Sequence, residues 1–312
     1  MSSVYLESLT ARLTDSAMEI PQATRELHAG YLLRLQQPDG GFPGREGESD
    51  LYYTGFALRS LVLLQALTPE VGEQAANYLK SQLSGQAVII DFLSLLYSAM
   101  LLQVACGIDL FEGADDSWNE RVLETLETFR RPDGGYAKTA ESGMGSTYNS
   151  FLVVLCQQLL GSMPPEADKL ASFIQSRQRD DGGFVEIEAM KRSGTNPTSA
   201  AIALLRILDA LEEDSADAAI DYLLDRQSTE GGICANTRIP IADLLSTFTG
   251  LLTLSDLGAA DELNVEPLLQ FVRSMQAKEG GFRGAILDDG YDAEYTFYGI
   301  GAWALIQPLL KQ

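Results

Sequence analysis

"QQPDGGFPGREGESDLYYTGFAL", Gln36 to Leu58, reads as a helix end, a double-glycine stop, a polar loop and the start of a second, apolar helix. Nearly the same phrase returns as "RPDGGYAKTAESGMGSTYNSF" from Arg131, "RQRDDGGFVEI" from Arg177, "RQSTEGGICAN" from Arg226 and "MQAKEGGFRGA" from Met275. The first glycines are Gly40, Gly134, Gly182, Gly231 and Gly280, so the spacing is 94, 48, 49 and 49 residues. The first interval is about twice the others. A degenerate copy is therefore expected near "SQLSGQAVIIDF", Ser81–Phe92, giving six units. A fixed period of this size marks a repeat architecture in which each unit is one supersecondary piece.

Each unit carries an amphipathic helical pattern before the glycines, as in "LHAGYLLRLQQ" and "VEPLLQFVRSMQ". Glycine stops it, because the left-handed conformation at a helix end costs glycine little. A polar stretch follows, then a helix apolar nearly all round, as in "STYNSFLVVLCQQLL" and "DAEYTFYGIGAWAL". Helices apolar on every side are buried. Two concentric rings satisfy both patterns, with second helices inside and first helices outside. No strand alternation stands out, so the chain reads as all-α, one domain over residues 1–312.

The composition bounds the function. With 46% hydrophobic residues the chain has enough apolar surface for a large core, and its formal net charge of −22 argues against nucleic acid or an anionic membrane as a non-specific partner. Cys106, Cys156 and Cys234 are far apart and form no CxxC pair, which points to a reducing compartment, read as cytoplasmic. The N-terminus lacks a signal pattern. The most apolar window, Ala87–Cys106, carries Asp91, Ser94, Ser98 and Gln103 and reads as a buried core helix with no membrane span.

The phrase Gln-x-x-x-Gly-x-aromatic or apolar, kept at Gln36–Phe42, Gln178–Phe184, Gln227–Ile233 and Gln276–Phe282, resembles the repeat of protein prenyltransferase β-subunits, the geranylgeranyltransferase type among them, and of squalene and terpene cyclases. Arg130 replaces the glutamine in the second phrase. The resemblance covers nearly the whole chain. It implies a single α/α toroid of six helical hairpins, an isoprenyl diphosphate or terpenoid as ligand, and a helical-repeat α-subunit as a possible partner.

The second helices all start after a loop on one side of such a barrel, so their N-terminal dipoles gather there and favour an anion. Below lies an apolar funnel, for which Tyr52, Tyr53, Tyr148, Phe248, Tyr291, Tyr295, Tyr298 and Trp303 are candidates; plain core packing is the alternative for each. Asp50, Asp243 and Asp292 stand four residues before Thr54, Thr247 and Thr296, and Ser146 stands likewise before Ser150. N-capping and chemistry both suit such side chains.

In the zinc-dependent prenyltransferases that the chain resembles, an Asp-x-Cys and an Asp-x-x-His-Thr open successive inner helices and hold the metal. Here "DLLSTF" from Asp243 and "DAEYTF" from Asp292 take those places, with Leu245 for the cysteine and Tyr295 for the histidine. A lone carboxylate is a poor zinc site, so no zinc is expected. Magnesium stays open, with no convincing cluster behind it. The only histidine, His28, lies in the first outer helix and reads as structural. Arg238, Arg283, Lys191 and Arg192 are the cations available to a diphosphate, or solvated loop charges.

The resemblance to proton-initiated cyclases offers a second match. Their Asp-x-Asp-Asp-Thr aligns with Asp292–Thr296, with Glu294 at the proton-donor place and Tyr295 replacing the other carboxylate. Asp243, Asp292, Glu294 and Tyr295 are thus the candidate catalytic residues. Three readings stay open: a zinc-free isoprenyl-binding or isoprenyl-transferring protein, a small cyclase, and a non-catalytic lipid- or partner-binding toroid.

Overall fold

A computed structural model describes residues 4–83, 88–115 and 117–311. Among them are thirteen α-helices and three two-stranded ribbons. The sixth repeat copy expected near Ser81–Phe92 includes residues 84–87, which lie outside the described residues. The chain divides into two compact units, residues 1–114 with 269–312, and residues 115–268.

In the first unit, three apolar helices form the centre: α3 (Leu51–Leu63), α5 (Ile89–Cys106) and α13 (Ala293–Ile306). α3 packs between α5 and α13, while α1 (Tyr5–Ala17) covers α13 and α3. α2 (Gln22–Leu35) packs on α3, and α4 (Pro69–Ser81) on α5. α5 is long and apolar enough to cross a membrane, with mean hydropathy 1.8, yet 61% of it is buried within the protein. The second unit repeats the plan. α9 (Thr195–Ile207) packs between α7 (Thr147–Leu159) and α11 (Leu244–Leu257), with α8 (Ala167–Gln175) and α10 (Glu213–Leu224) beside them.

The repeat phrase explains how hairpins dock. Gly40, Gly182 and Gly231 have φ of 91°, 85° and 97°. A Cβ on them would lie about 2 Å from the carbonyl oxygens of Gln74, Ala218 and Pro267 on the next outer helix. Only glycine meets both demands. The glutamine four residues earlier ties the same joint. Gln36 Nε2 donates to Gly40 O at 3.0 Å and to Val71 O at 3.2 Å, and Gln178 and Gln227 do the same.

The last phrase docks on the first outer helix, where a Cβ on Gly280 would lie 2.6 Å from Leu27 O. His28 completes this joint. Its Nδ1 accepts from Gly281 N–H at 3.0 Å, its Nε2 bonds Gln276 Oε1 at 3.0 Å, and its ring stacks on Phe282. Accepting at Nδ1 requires the neutral ring, and burial lowers the pKa to about 4.

The sequence pattern gave no strands, but the polar loops fold back as small hairpins. Phe42 pairs with Asp50 in β1–β2 (Phe42–Pro43 and Ser49–Asp50), and Phe282 with Asp292 in β5–β6 (Phe282–Arg283 and Tyr291–Asp292). In the second unit β3 (Cys234–Asn236) pairs with β4 (Ile239–Ala242), and Tyr136 and Phe184 bridge Ser146 and Gly194. Strands of two to four residues are too short to display a period of two. Their role is to set the start of each inner helix. The aromatic or apolar N–H then donates to a buried hydroxyl: Phe42 to Thr54, Tyr136 to Ser150, Phe184 to Thr198, Ile233 to Thr247 and Phe282 to Thr296.

Candidate functional site

The aligned aspartates are N-caps. Asp50 accepts from Tyr52 and Tyr53 N–H, Asp243 from Ser246 N–H and Asp292 from Tyr295 N–H; Ser146 accepts from Asn149 N–H. Each therefore satisfies a backbone donor that a helix start leaves open. What differs is what else each side chain meets.

In the first unit, the starts of α3 and α13 share a polar cluster. Tyr52 Oη donates to Glu294 Oε1 at 2.7 Å. Burial raises the Glu294 pKa, and the tyrosine hydrogen bond opposes the rise. Among the described residues nothing donates to its second oxygen. Asp292 is 2% exposed and meets Arg45, whose Nε lies 2.8 Å from Asp292 Oδ2. Arg45 also forks onto Asp288 at 2.8 and 2.6 Å, and this arginine holds the Asp288 carboxyl below its ordinary range. The Asp288–Asp292 loop thus closes on a guanidinium. Nearby Asp91, in the first turn of α5, is raised by burial and by Asp50.

An aromatic wall runs from this cluster along α3 and α13. Phe56 meets Tyr52 at 4.8 Å between ring centroids, Tyr298 at 5.4 Å and Phe297 at 5.6 Å. Tyr295 lies 6.2 Å from Tyr298 and under Arg45. Trp303 is buried farther along α13 beneath the Arg273 guanidinium. Tyr291 lines an open cleft of about 480 Å³ with Tyr31, Arg34 and Glu279. Arg283 donates at 3.4 Å to Ser274 O, at the end of the preceding helix (Val265–Ser274).

The second unit holds the remaining candidates. Both Asp243 oxygens are used by Ser246, through its N–H at 2.7 Å and its hydroxyl at 2.8 Å. Burial raises the Asp243 pKa, as it does for Cys234. Leu245 is half-buried and brings no polar atom. Arg238 is exposed at the tip of the β3–β4 hairpin, and Lys191 and Arg192 are exposed on a loop. Phe248 is buried, whereas Tyr148 is 43% exposed beside Glu186, which accepts its N–H. Among the described residues, no three His, Cys, Asp or Glu side chains converge to hold a metal.

Arg45, Arg59 and Asp91 were not among the sequence candidates. Arg45 sits in a glycine-flanked loop that looks like any solvated one. Asp91 was legible as a charge in an apolar helix.

The family model of the prenyltransferase alpha-alpha toroid domain matches residues 2–89 and 73–312, and the chain belongs to that family. Among curated protein sequences none matches significantly. Solved structures share the fold at low identity. The protein geranylgeranyltransferase-I of Candida albicans complexed with GGPP is similar with TM-score 0.72 and 16% identity, over 90% of each chain. The type II terpene cyclase MstE of Scytonema, in a variant bound to geranylgeranyl dihydroxybenzoate, is similar with TM-score 0.62 and 14% identity, over 98% of this chain and 100% of the other. A glycosidase is similar at 11% identity and TM-score 0.61, covering 100% of this chain and 99% of its own. One fold therefore serves unlike chemistries, and the site must carry the assignment.

Proposed function

We propose that the protein binds an isoprenoid against the aromatic wall of its first unit and acts on it by proton transfer from Glu294, as a small class II type terpenoid cyclase. The observation that carries this reading is Glu294 itself. It is a half-buried carboxyl with raised pKa, oriented by Tyr52, at the head of a wall of aromatic rings. Burial raises the Glu294 pKa and so favours the protonated acid that such a step needs. Proton transfer to an alkene breaks the O–H bond and forms a C–H bond, leaving a carbocation and a carboxylate. The Tyr52 hydroxyl stabilises the carboxylate, and the faces of Phe56, Tyr298 and Tyr52 stabilise the cation. Asp292, held by Arg45 and capping α13, fixes the helix start from which Glu294 projects.

A second reading keeps the ligand class but changes the reaction: binding or transfer of an isoprenyl diphosphate without zinc, with or without a helical-repeat partner. It is supported by Arg238, Lys191 and Arg192, exposed cations with no ion pair among the described residues. Against it, Arg45 is committed to two carboxylates and Arg283 donates to Ser274 O at the end of the preceding helix. The experiment is incubation of the full chain with linear polyprenyl alcohols, polyprenyl acids and isoprenyl diphosphates, with products read by mass spectrometry. Cyclised isomers of unchanged mass, lost in Glu294→Gln, are expected. Transfer to an acceptor supports the second reading. Binding without turnover leaves a lipid-binding toroid.

A further inference from the structure

Arg59 is a buried cation with no ion pair among the described residues; its charge is felt at Glu294, where it lowers the pKa. The arginine lies on α3 and is 8% exposed, and its guanidinium carbon sits 4.5 Å from the ring centroids of both Phe56 and Tyr97. No described residue accepts a hydrogen bond from it, and its Nε is buried with no partner. Among the described residues the other buried arginine, Arg177, lies 3.6 Å from Asp133 and 3.5 Å from Glu188, and the half-buried Arg130 lies 2.8 Å from Glu127. Beside Arg59, on the facing helix α5, Ser94 and Ser98 are each 1% exposed, and both hydroxyls lack a partner.

These groups converge. A Cβ on Gly55 would lie 3.6 Å from Ser94 Cβ and Ser98 Oγ and 3.7 Å from Arg59 Nη2, so all three border the methyl-sized gap beside this glycine. Ser94 and Ser98 are one helical turn apart, which stacks their hydroxyls on one face of α5. Tyr97 is not the missing acceptor, because Arg59 meets its ring face and no hydrogen bond joins the guanidinium to its hydroxyl, which pairs with Thr10 at 2.6 Å. Buried polar groups are nearly always satisfied, and a guanidinium stripped of water is the costliest to leave unmet. Two ring faces compensate its charge but accept none of its in-plane N–H bonds.

We propose that Arg59, Ser94 and Ser98 form a buried carboxylate-binding subsite that holds the acid end of the ligand. A carboxylate offers two coplanar oxygens to the arginine fork and further lone pairs to two hydroxyls. One cation suits one negative charge better than it suits a diphosphate. The placement fits a ligand with two ends. Tyr52, Phe56 and Arg59 follow one another along one face of α3, so the subsite lies about 10 Å along the helix from the Tyr52–Glu294 pair, with the aromatic wall between. An isoprenoid acid would place its carboxylate at Arg59 and an alkene near Glu294. The ligand's tail rests on the isoprenoid reading above; the carboxylate subsite does not.

The test is calorimetry on the full chain with farnesoic acid, farnesol, farnesyl diphosphate and benzoate. The acid is expected to bind at least about tenfold more tightly than the alcohol. Arg59→Met should abolish that preference while leaving the alcohol's affinity within about threefold, and Ser94→Ala with Ser98→Ala should reduce it. Arg59→Lys keeps the charge without the fork. It should lose most of the preference, and it serves if the methionine variant does not fold. Equal affinity of acid and alcohol for the wild type, or a preference that survives in the Arg59 variants, overturns the subsite. Tighter binding of the diphosphate than of the acid, dependent on Arg59, overturns the carboxylate assignment in favour of phosphate. Benzoate binding that needs Arg59, without binding of any farnesyl compound, keeps the subsite and removes the isoprenoid reading. Farnesol binding without any carboxylate preference does the reverse.

Discussion

The starts of α11 and α13 are built alike and end up chemically different. Each opens with an aspartate N-cap, and each has a threonine four residues on that takes a hairpin N–H. At α11 the aspartate spends both oxygens on Ser246, and the third residue is Leu245. At α13 the aspartate meets Arg45 from another hairpin, and the third residue is Glu294, met by Tyr52 from another helix. The cap and the threonine belong to the scaffold. On the proposed function, chemistry belongs to the start where a neighbouring repeat supplies a partner to the position two residues past the cap.

Substitution of that position is the strongest way to break the comparison. Glu294→Gln is expected to cut turnover about 10²–10⁴-fold with ligand affinity little changed, whereas Asp243→Asn leaves turnover within about twofold. Equal losses from both, in product assays, would mean that the two helix starts act together rather than differently.

The next effect concerns the first unit's closing joint, where Gly281 N–H donates to His28, whereas Gly135 and Gly183 of the second unit donate to the loop aspartates Asp133 and Asp181. His28 has its pKa lowered from 6.5 to about 4. A group neutral in the fold supports it fully above pH 6.5, and that support is lost as pH falls towards 4. The loss is of order 3 kcal/mol. Urea midpoints across this window should fall more steeply for the wild type than for His28→Gln, whose amide oxygen can accept from Gly281 at any pH. Parallel profiles would remove His28 from the account.

Arg45→Met should cost about 1–2 kcal/mol, since Asp292 is buried but the arginine is partly in water and screened. Asp243→Ala should cost about 1 kcal/mol, the value of a lost cap. Thermal melts of the two variants measure this difference, and an Asp243 cost exceeding the Arg45 cost would reverse the ranking of the two helix starts. The finest probe is Tyr52→Phe. The tyrosine hydrogen bond lowers the Glu294 pKa, so its removal raises it. The acid must be protonated to act, and activity falls as pH rises through that pKa. The alkaline limb of the rate profile should therefore move upward, and a downward shift would contradict the assigned direction. Elemental analysis of protein purified without chelators is expected to find no stoichiometric zinc, given Leu245 and Tyr295.

Most of the scaffold was legible in the residues, because it is local and repeated. The Gly-Gly stops, the glutamine four residues earlier and the cap-to-threonine spacing recur at a fixed period, and each acts within a few residues or on the next helix. Glu294 was legible too, as an acid at an aligned helix start. The small hairpins were not, since their pairing spans too few residues to leave a pattern. Nor were the partners: Arg45 lies 247 residues from Asp292, and Tyr52 lies 242 residues from Glu294. Nothing in a loop arginine or in one tyrosine among twelve marks which acid it will meet. Arg59 makes the same point by an absence, for a charge in an apolar helix reads as a candidate for pairing until the packing is known. Sequence determined the repeat, its caps and its buried helices, because short-range backbone needs dictate them. Only tertiary structure decided which carboxylates meet a cation, which have their pKa raised by burial and which cation has no ion pair, because those depend on burial and on contacts between distant repeats.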